Sequence, residues 1–164
     1  MKEIQLSQGR VCKNTGKYVA LVDDEDFDSL NSFLWYTQKH GNTFYAGRKI
    51  TINGKLTAQY MHGVILNGKG IDHIDHNGLN NQKANLRLCT QRENQMNRSK
   101  SINKSSVYKG VYFYKRTGKW KAQIAINGKN IHLGYFASEV EAAKAYNDKA
   151  IAFFCEFANL NIIP

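Results

Sequence analysis

The sequence predicts an α+β fold from three observations. Short runs rich in β-branched and aromatic residues, separated by Gly and Asn turns, fill the first third of the chain. Asn53-Gly54 and Asn127-Gly128 each stand between such runs and indicate two-residue hairpin turns. Capping-box patterns at Thr90 and Ser138 predict the starts of two helices. We therefore expect a β-rich N-terminal region, a central strand-loop-strand-helix unit, and a C-terminal three-stranded antiparallel sheet followed by a helix.

Four segments follow from these patterns. We predict a β-rich N-terminal region over residues 1–67, a central unit over 68–98, a connector over 99–106 and a C-terminal module over 107–164. The connector is small, polar and basic, which is typical of a flexible linker. A linker of this kind lets one module locate a target while another acts on it.

The N-terminal region contains the candidates for four strands and one short helix. The strands are predicted at Glu3–Leu6, Tyr18–Val22, Phe44–Ile50 and Lys55–Tyr60, and the helix at Phe27–Leu34. The segment Met61–Leu66 leads into the central unit, and we expect it to pack beneath that unit.

The charge distribution favours a polyanionic partner. The chain has 23 Lys and Arg against 13 Asp and Glu, a formal net charge of +10. Between Asp75 and Glu139 the only acid is Glu93, whereas twelve basic residues occupy the same interval. Such a stretch predicts nucleic-acid binding that weakens with salt. The acidic run from Asp23 to Asp28 would repel DNA, so we expect it to face away.

Composition also predicts a cytoplasmic protein without a membrane partner. No apolar run approaches the roughly eighteen residues of a membrane span, and the N-terminus lacks the apolar core of a signal peptide. Cys12, Cys89 and Cys155 are not spaced for a disulfide frame or a cysteine-based zinc site. We expect all three to be reduced structural residues.

The densest chemistry lies in the central unit, whose sequence from Ile71 to Asn94 is IDHIDHNGLNNQKANLRLCTQREN. We predict a strand that carries Asp72 and His73, a wide loop rich in Asn and Gly, and a return strand from Asn85. The capping box at Thr90 then places Asn94 in the first turns of a helix. Polar side chains therefore stand at the first strand and at the start of the helix.

These residue types suit hydrolysis assisted by one metal ion. Asp72 offers a carboxylate oxygen and Asn94 an amide oxygen, which are ligands for one hard divalent cation, Mg²⁺ or alternatively Mn²⁺. The imidazole of His73 can accept a proton from water near neutral pH, and Asn85 is a candidate for holding that ring in the right tautomer. His62 admits two interpretations, a packed histidine or one that approaches the metal.

The Asp72-His73 pair, the Asn-rich loop, Asn85-Leu86-Arg87 and Asn94 resemble the HNH endonuclease motif, the ββα-metal finger of phage and intron-encoded homing nucleases. The resemblance implies that His73 is the general base, that Asp72 and Asn94 bind a divalent metal, and that Asn85 orients the base. His76 departs from the pattern, because glycine is usual at that position.

The C-terminal module is predicted to be a sheet with one apolar and one basic face. The strands are expected at 109–115, 119–126 and 129–134. We expect the core to contain Trp120, Ala122, Ile124, Ile126, Ile131 and Leu133, and the helix to add Ala143, Tyr146, Ala150 and Phe153. The opposite face of the sheet carries the Lys and polar residues.

Residues 107–161 resemble the APETALA2-type DNA-binding domain, through Leu133-Gly-Tyr-Phe, Glu141-Ala-Ala-Lys-Ala-Tyr146 and Phe157-Ala-Asn-Leu-Asn161. The resemblance implies a sheet that lies in the major groove of double-stranded DNA. Gln123 is a candidate for reading adenine, while the lysines are expected to hold phosphates. The full set of predicted DNA contacts is Arg87, Lys109, Tyr112, Tyr114, Arg116, Lys119, Lys121, Gln123, Asn130 and His132.

The sequence therefore predicts a metal-dependent, homing-type DNA endonuclease that acts in a bacterial or phage-infected cell. The alternative is a non-catalytic DNA-binding regulator with a degenerate finger. The pattern leaves open the oligomeric state, the target sequence and the choice between nicking and double-strand cleavage.

Overall fold

The structure, a computed structural model, describes residues 1–7, 18–41, 43–97 and 105–164. Two compact units divide the chain, Met1–Gln91 and Arg92–Pro164. Both mix short antiparallel sheets with helices, which confirms the predicted α+β class. Cys12 and residues 99–104 of the predicted connector lie outside the described residues. No helix in the described ranges is long and apolar enough to cross a membrane.

The first unit contains three small sheets and two helices. Its elements are β1 (Lys2–Gln5), β2 (Val19–Val22), α1 (Asp24–Asn31), β3 (Tyr36–His40), β4 (Thr43–Ile52), β5 (Lys55–Tyr60), α2 (Met61–Ile65), β6 (Ile71–His73) and β7 (Leu86–Leu88). Strand β1 pairs with β2, β4 lies between β3 and β5, and β6 pairs with β7, all antiparallel. The predicted hairpin turn at Asn53-Gly54 is confirmed, since both residues have the positive φ angles of a two-residue turn.

Helix α1 begins and ends earlier than predicted. It starts at Asp24, and its first turn holds acidic residues, which the helix dipole favours at that end. It ends at Asn31, so Phe33 and Leu34 lie beyond it and are exposed, whereas Trp35 is fully buried. The indole Nε1 of Trp35 donates a 2.8 Å hydrogen bond to the Leu30 carbonyl, which closes the helix end over the core.

The core of the first unit joins its sheets to the segment that leads into β6. It contains Ile4, Leu6, Ala20, Val22, Leu30, Trp35, Ala46 and Met61. Val64 and Ile65 of α2 and Leu79 of the loop after β6 pack against this cluster. Helix α2 and the loop therefore share one core, as expected for a segment that supports the central unit.

The second unit consists of helix α3 (Gln91–Met96, whose first residue precedes the unit boundary), a three-stranded sheet and helix α4. The sheet contains β8 (Val111–Tyr114), β9 (Lys119–Ile126) and β10 (Lys129–Phe136), with β9 in the centre, and α4 spans Glu139–Phe154. The predicted capping box of α4 is confirmed, with Ser138 and Glu141 bonded reciprocally. The Asn127-Gly128 turn is likewise confirmed by two positive φ angles.

Two predicted core positions of this unit are wrong. Ile131 is 36% exposed, because β10 forms an edge of the sheet and Ile131 lies near its hairpin end. Phe153 is 49% exposed, because the four-residue spacing from Tyr146 through Ala150 carries the buried face of α4 to Phe154.

Candidate active site

Strands β6 and β7 form the hairpin that carries the predicted catalytic pair. Their register places Asp72 opposite Arg87 and His73 opposite Leu86. The loop between them is tied to β2, because Leu21 N–H donates to the Leu79 carbonyl and Asn81 N–H donates to the Leu21 carbonyl, both at 2.8 Å. The hairpin is therefore anchored on the core of the first unit.

Asp75 ties together the residues of the loop. Its Oδ1 accepts hydrogen bonds from the backbone N–H of Asn77 (2.8 Å) and from Asn85 Nδ2 (2.9 Å), and its Oδ2 accepts one from Asn80 Nδ2 (2.8 Å). Burial alone would raise the pKa of Asp75, but these hydrogen bonds outweigh it and lower the pKa below its ordinary value. The carboxylate therefore stays charged and holds the loop in one conformation.

Asn85 contributes to the same loop. Its Oδ1 accepts from the backbone N–H of Asp75 at 3.0 Å, and its Nδ2 donates to Asp75 Oδ1 and to the carbonyl of Asn80. Its own carbonyl accepts from Ile74 N–H at 3.0 Å. These contacts fix the backbone that directly follows His73. Asn85 could therefore orient His73 by fixing the neighbouring backbone. Its side chain bonds Asp75 and Asn80 and not the imidazole.

The side chain of Asn81, which is not among the predicted site residues, reaches the imidazole of His73. Asn81 is fully buried, and its Oδ1 lies 3.3 Å from His73 Nε2. Its Nδ2 donates to the Leu79 carbonyl at 3.2 Å, which fixes the orientation of the amide. The oxygen of Asn81 therefore faces His73, and Nε2 must be the donor. A neutral His73 carries its proton on Nε2 and its lone pair on Nδ1.

Two aromatic rings enclose His73. The Tyr45 ring lies 5.6 Å from it and the His62 ring 5.1 Å, both edge to face. His73 is only 5% exposed. This burial lowers its pKa below the ordinary value, against the hydrogen bond to Asn81 and the charges of Asp75 and Asp72, which act to raise it. The imidazole is therefore held in its neutral, basic form near pH 7.

Asp72 lies on the other side of β6 from His73 and pairs with Arg87 across the hairpin. Arg87 donates from Nε (3.0 Å) and from a terminal nitrogen (2.7 Å) to Asp72 Oδ2, and both side chains are largely buried. The ion pair fixes the carboxylate that the sequence predicts as a metal ligand. It also gives Arg87, predicted as a DNA contact, a partner inside the protein.

The unusual His76 stands in a left-handed turn. Its φ is +63°, and its N–H donates to the His73 carbonyl at 3.0 Å. Glycine adopts this backbone conformation without strain, which explains why it is the usual residue at this position of the HNH pattern. Thr43 on β4 donates to the carbonyl of His76 at 3.4 Å.

The predicted metal ligands belong to different units. Asp72 is on β6 of the first unit, whereas Asn94 is on α3 within the second. Over the described residues, no group of three or more His, Cys, Asp or Glu could hold a metal ion. A carboxylate with an amide oxygen nevertheless fits a hard divalent cation that keeps several waters. The shared metal site remains a prediction.

The register of the second sheet brings most of the predicted DNA contacts onto one face. Tyr112 and Tyr135 both pair with Lys121, Tyr114 pairs with Lys119, and His132 pairs with Gln123. On β9 this face is opposite Ala122, Ile124 and Ile126, which are buried. Arg116, Lys119, Asn130 and His132 are exposed, whereas Tyr112, Tyr114, Lys121 and Gln123 are partly exposed.

Tyr135 is an additional member of this face. It is 45% exposed, and its ring lies 4.7 Å from that of His132 and 5.4 Å from that of Tyr114. The predicted strand ends at Gly134, whereas in the structure β10 continues through a register shift between His132 and Gly134 to Phe136. Tyr135 and Phe136, which follow Gly134, are aromatic residues typical of strands, and they indicate this longer strand.

Lys109 differs from the other predicted contacts. Its Nζ donates a 2.9 Å hydrogen bond to the carbonyl of Met96, the last residue of α3. Burial lowers the pKa of this amine to about 8. The acceptor of this hydrogen bond, the Met96 carbonyl, lies in the same unit as Lys109.

An Asp-His pair on a short hairpin, an Asn-tied loop and a following helix define the finger of an HNH nuclease. The model of the HNH endonuclease family matches residues 56–96. A protein described as an uncharacterized HNH endonuclease of Acanthamoeba polyphaga mimivirus is 33% identical over 145 residues, covering 88% of this chain and 75% of that protein. The chain belongs to the HNH endonuclease family.

Two further relatives match shorter parts. An AP2-like ethylene-responsive transcription factor of Arabidopsis thaliana is 43% identical over 60 residues, which are 37% of this chain and 12% of that protein. Protein 3.8 of Escherichia phage T7 is 37% identical over 68 residues, 42% of this chain and 56% of that protein. The chain thus spans only part of these two relatives. No solved structure matches it.

Proposed function

We propose that this chain is a metal-dependent, homing-type DNA endonuclease in which His73 is the general base. The observation that carries the proposal is the buried His73 imidazole, whose Nε2 donates to Asn81 and whose Nδ1 therefore holds the basic lone pair. A ring fixed in one tautomer and kept neutral by burial is ready to accept a proton.

In the proposed reaction, Nδ1 of His73 takes a proton from a water molecule as the water oxygen attacks the phosphorus of a phosphodiester. The new oxygen–phosphorus bond forms while the bond to the 3′ oxygen breaks, and the 3′ oxygen takes a proton from solvent. The products are a 5′ phosphate and a 3′ hydroxyl. Asn81 stabilises the resulting imidazolium by its hydrogen bond, and the carboxylates of Asp72 and Asp75 stabilise it by their charge.

Asp72 and Asn94 are the proposed ligands of the metal, with Mg²⁺ favoured and Mn²⁺ as an alternative. A divalent cation bound there would stabilise negative charge on the phosphate and on the leaving oxygen. The chain's own contribution is to hold the Asp72 carboxylate against Arg87 in a fixed orientation. Contacts that orient a ligand in this way commonly determine how well it binds its metal.

The proposed substrate is double-stranded DNA, bound on the outer face of β8, β9 and β10. Lys119 and Lys121 supply positive charge for phosphates, and Gln123 beside His132 offers hydrogen-bonding groups for base edges. The APETALA2-type relative and the net charge of +10 support this assignment. The phage relative supports action in the cytoplasm of a bacterial or phage-infected cell.

The test is cleavage of supercoiled plasmid DNA by the full chain with Mg²⁺, with Mn²⁺ and with EDTA. We expect nicked or linear product with either metal and none with EDTA. Tight duplex binding without cleavage in any of these conditions would refute the nuclease and support the non-catalytic regulator.

A further inference from the structure

Helix α3, which carries the proposed metal ligand Asn94, is packed into the C-terminal unit. Met96 lies against the buried cluster formed by β9 and α4, which contains Ile124, Ile126, Tyr146, Ala150 and Phe154. At the start of the helix, Arg92 donates a hydrogen bond to Asn127 Oδ1 in the β9–β10 turn. Directly after the helix, Asn159 Nδ2 donates to the Asn97 carbonyl at 3.1 Å.

Lys109 adds a contact at the C-terminal end of α3. Its Nζ donates to the Met96 carbonyl, where the helix leaves carbonyl groups without intrahelical partners. A cation at this end is also favoured by the helix dipole. The contact offsets part of the cost of burying the amine, a cost that is visible in its lowered pKa of about 8.

The backbone of Lys109 is in turn tied to α4 through two asparagines. Lys109 N–H donates to Asn161 Oδ1 at 2.5 Å, and Asn161 Nδ2 donates back to the Lys109 carbonyl at 3.1 Å. Asn161 N–H donates to Asn147 Oδ1 on α4 at 2.8 Å, and Asn147 Nδ2 donates to the Asn161 carbonyl. The backbone of Lys109, whose amine bonds the end of α3, is therefore fixed to helix α4.

We propose that the C-terminal DNA-binding domain holds α3 and thereby fixes Asn94 for cleavage, with Lys109 as a positioning residue rather than a DNA contact. The expected effect on cleavage rests on the proposed function. The structural part of the proposal, that Lys109 stabilises α3, is independent of any activity. The domain proposed to bind DNA then also holds the helix that carries Asn94.

The test compares Lys109→Met with Lys121→Met in the full chain, on one labelled duplex with Mg²⁺. Both variants remove one positive charge and keep the aliphatic stem, but Lys121 lies on the outer face of the sheet. For Lys109→Met we expect a Kd within about twofold of wild type and a cleavage rate at saturating enzyme lowered about 10-fold or more. For Lys121→Met we expect weaker binding, because this variant loses a proposed phosphate contact.

A Lys109→Met variant that binds as weakly as Lys121→Met and still cuts at the full saturating rate would refute the proposal. If Lys109→Met fails to fold, Asn159→Ala removes a different tie to the same segment, with the same expectations. Should wild type not cleave DNA, the proposed function fails, and hydrogen exchange then tests the inference alone. Faster exchange of the α3 amides in Lys109→Met supports it, and unchanged exchange overturns it.

Discussion

His62 is a half-buried histidine beside the proposed general base, and its Nδ1 atom is buried. Its ring stacks on Tyr60 at 5.4 Å and meets His73 and Tyr45 edge to face. No described residue hydrogen-bonds its buried Nδ1. Burial, with a smaller contribution from His73, lowers its pKa to about 4. Of the two sequence-based interpretations, the ring contacts support a packed residue.

The pKa of His62 predicts a loss of stability in mild acid. The folded pKa of about 4 lies below the ordinary 6.5, so between these values the unfolded chain binds a proton that folded His62 does not. The free energy of unfolding should therefore fall as the pH drops from 6.5 to 4, by about 3 kcal/mol from this residue. Urea titrations at several pH values measure it.

His62→Phe is the matched variant, because it keeps an aromatic ring and removes both titration and the unpartnered nitrogen. We expect it to be about 1 kcal/mol more stable than wild type at pH 7 and to lose less stability in acid. An identical pH dependence in the two proteins would show that His62 does not cause the acid sensitivity.

Asn81 is predicted to fix the tautomer of His73. In Asn81→Ala the acceptor for Nε2–H is lost, so we expect the cleavage rate to fall about 10- to 100-fold while the Kd for DNA stays within about twofold. The imidazole ¹⁵N shifts of His73 should change from one tautomer to a mixture. A full cleavage rate with an unaltered His73 spectrum would contradict this assignment.

For single residues, the sequence predicts the positions of the catalytic pair but not every contact around them. The motif placed Asp72 and His73 on one strand, and the structure agrees. The loop offered several asparagines of identical chemistry, and the sequence could not indicate that Asn81, rather than Asn85, bonds the imidazole. That choice depends on the pairing of Leu21 with the loop, a contact across some sixty residues of chain.

Among the elements, the chain packs closely on α4 at Gly110, the residue directly before β8. Its φ is +76°, and a Cβ there would lie 2.2 Å from Tyr146 Cδ2 and 2.6 Å from the Gln123 carbonyl oxygen. One of these neighbours is backbone, so the clash cannot be relieved by a side-chain rotation. Gly118, with φ +66°, has no atom within 4 Å of the same position and provides a control.

We expect Gly110→Ala to destabilise the protein by about 3 kcal/mol or more, because steric overlap adds to the left-handed backbone strain. Gly118→Ala should cost only about 1 kcal/mol, from the backbone strain alone. Urea denaturation monitored by tryptophan fluorescence compares them. Equal losses for the two variants would contradict the packing of Gly110 against α4.

Elements with strong local signals were predicted well, and elements that depend on distant contacts were not. The Asn-Gly hairpins and the capping box at Ser138 encode their own turns and were confirmed. Strand β3 was missed, because its sequence lacks alternation and its pairing with β4 supplies the order. The end of β10 was missed, because a register shift interrupts its alternation.

At the scale of the whole molecule, the sequence predicted a finger that ends before a connector. In the structure, Arg92–Pro164 forms one compact unit, and Met96 of α3 packs against the cluster of its sheet and helix α4. The sequence does not predict this packing of Met96, because a single apolar residue at the end of a short polar helix shows no periodicity. The predicted boundaries of the four segments stay predictions.

Parallel measurements of binding and single-turnover cleavage on one duplex determine whether His73 activates water for DNA cleavage. The proteins compared are wild type, His73→Ala and His76→Gly. The last is the control, because it removes a nearby imidazole of the same loop. Glycine suits this position, where φ is +63°. We predict that His73→Ala binds like wild type but cleaves about 100-fold or more slowly, whereas His76→Gly retains both activities. Cleavage by His73→Ala at the wild-type rate would show that His73 is not the general base.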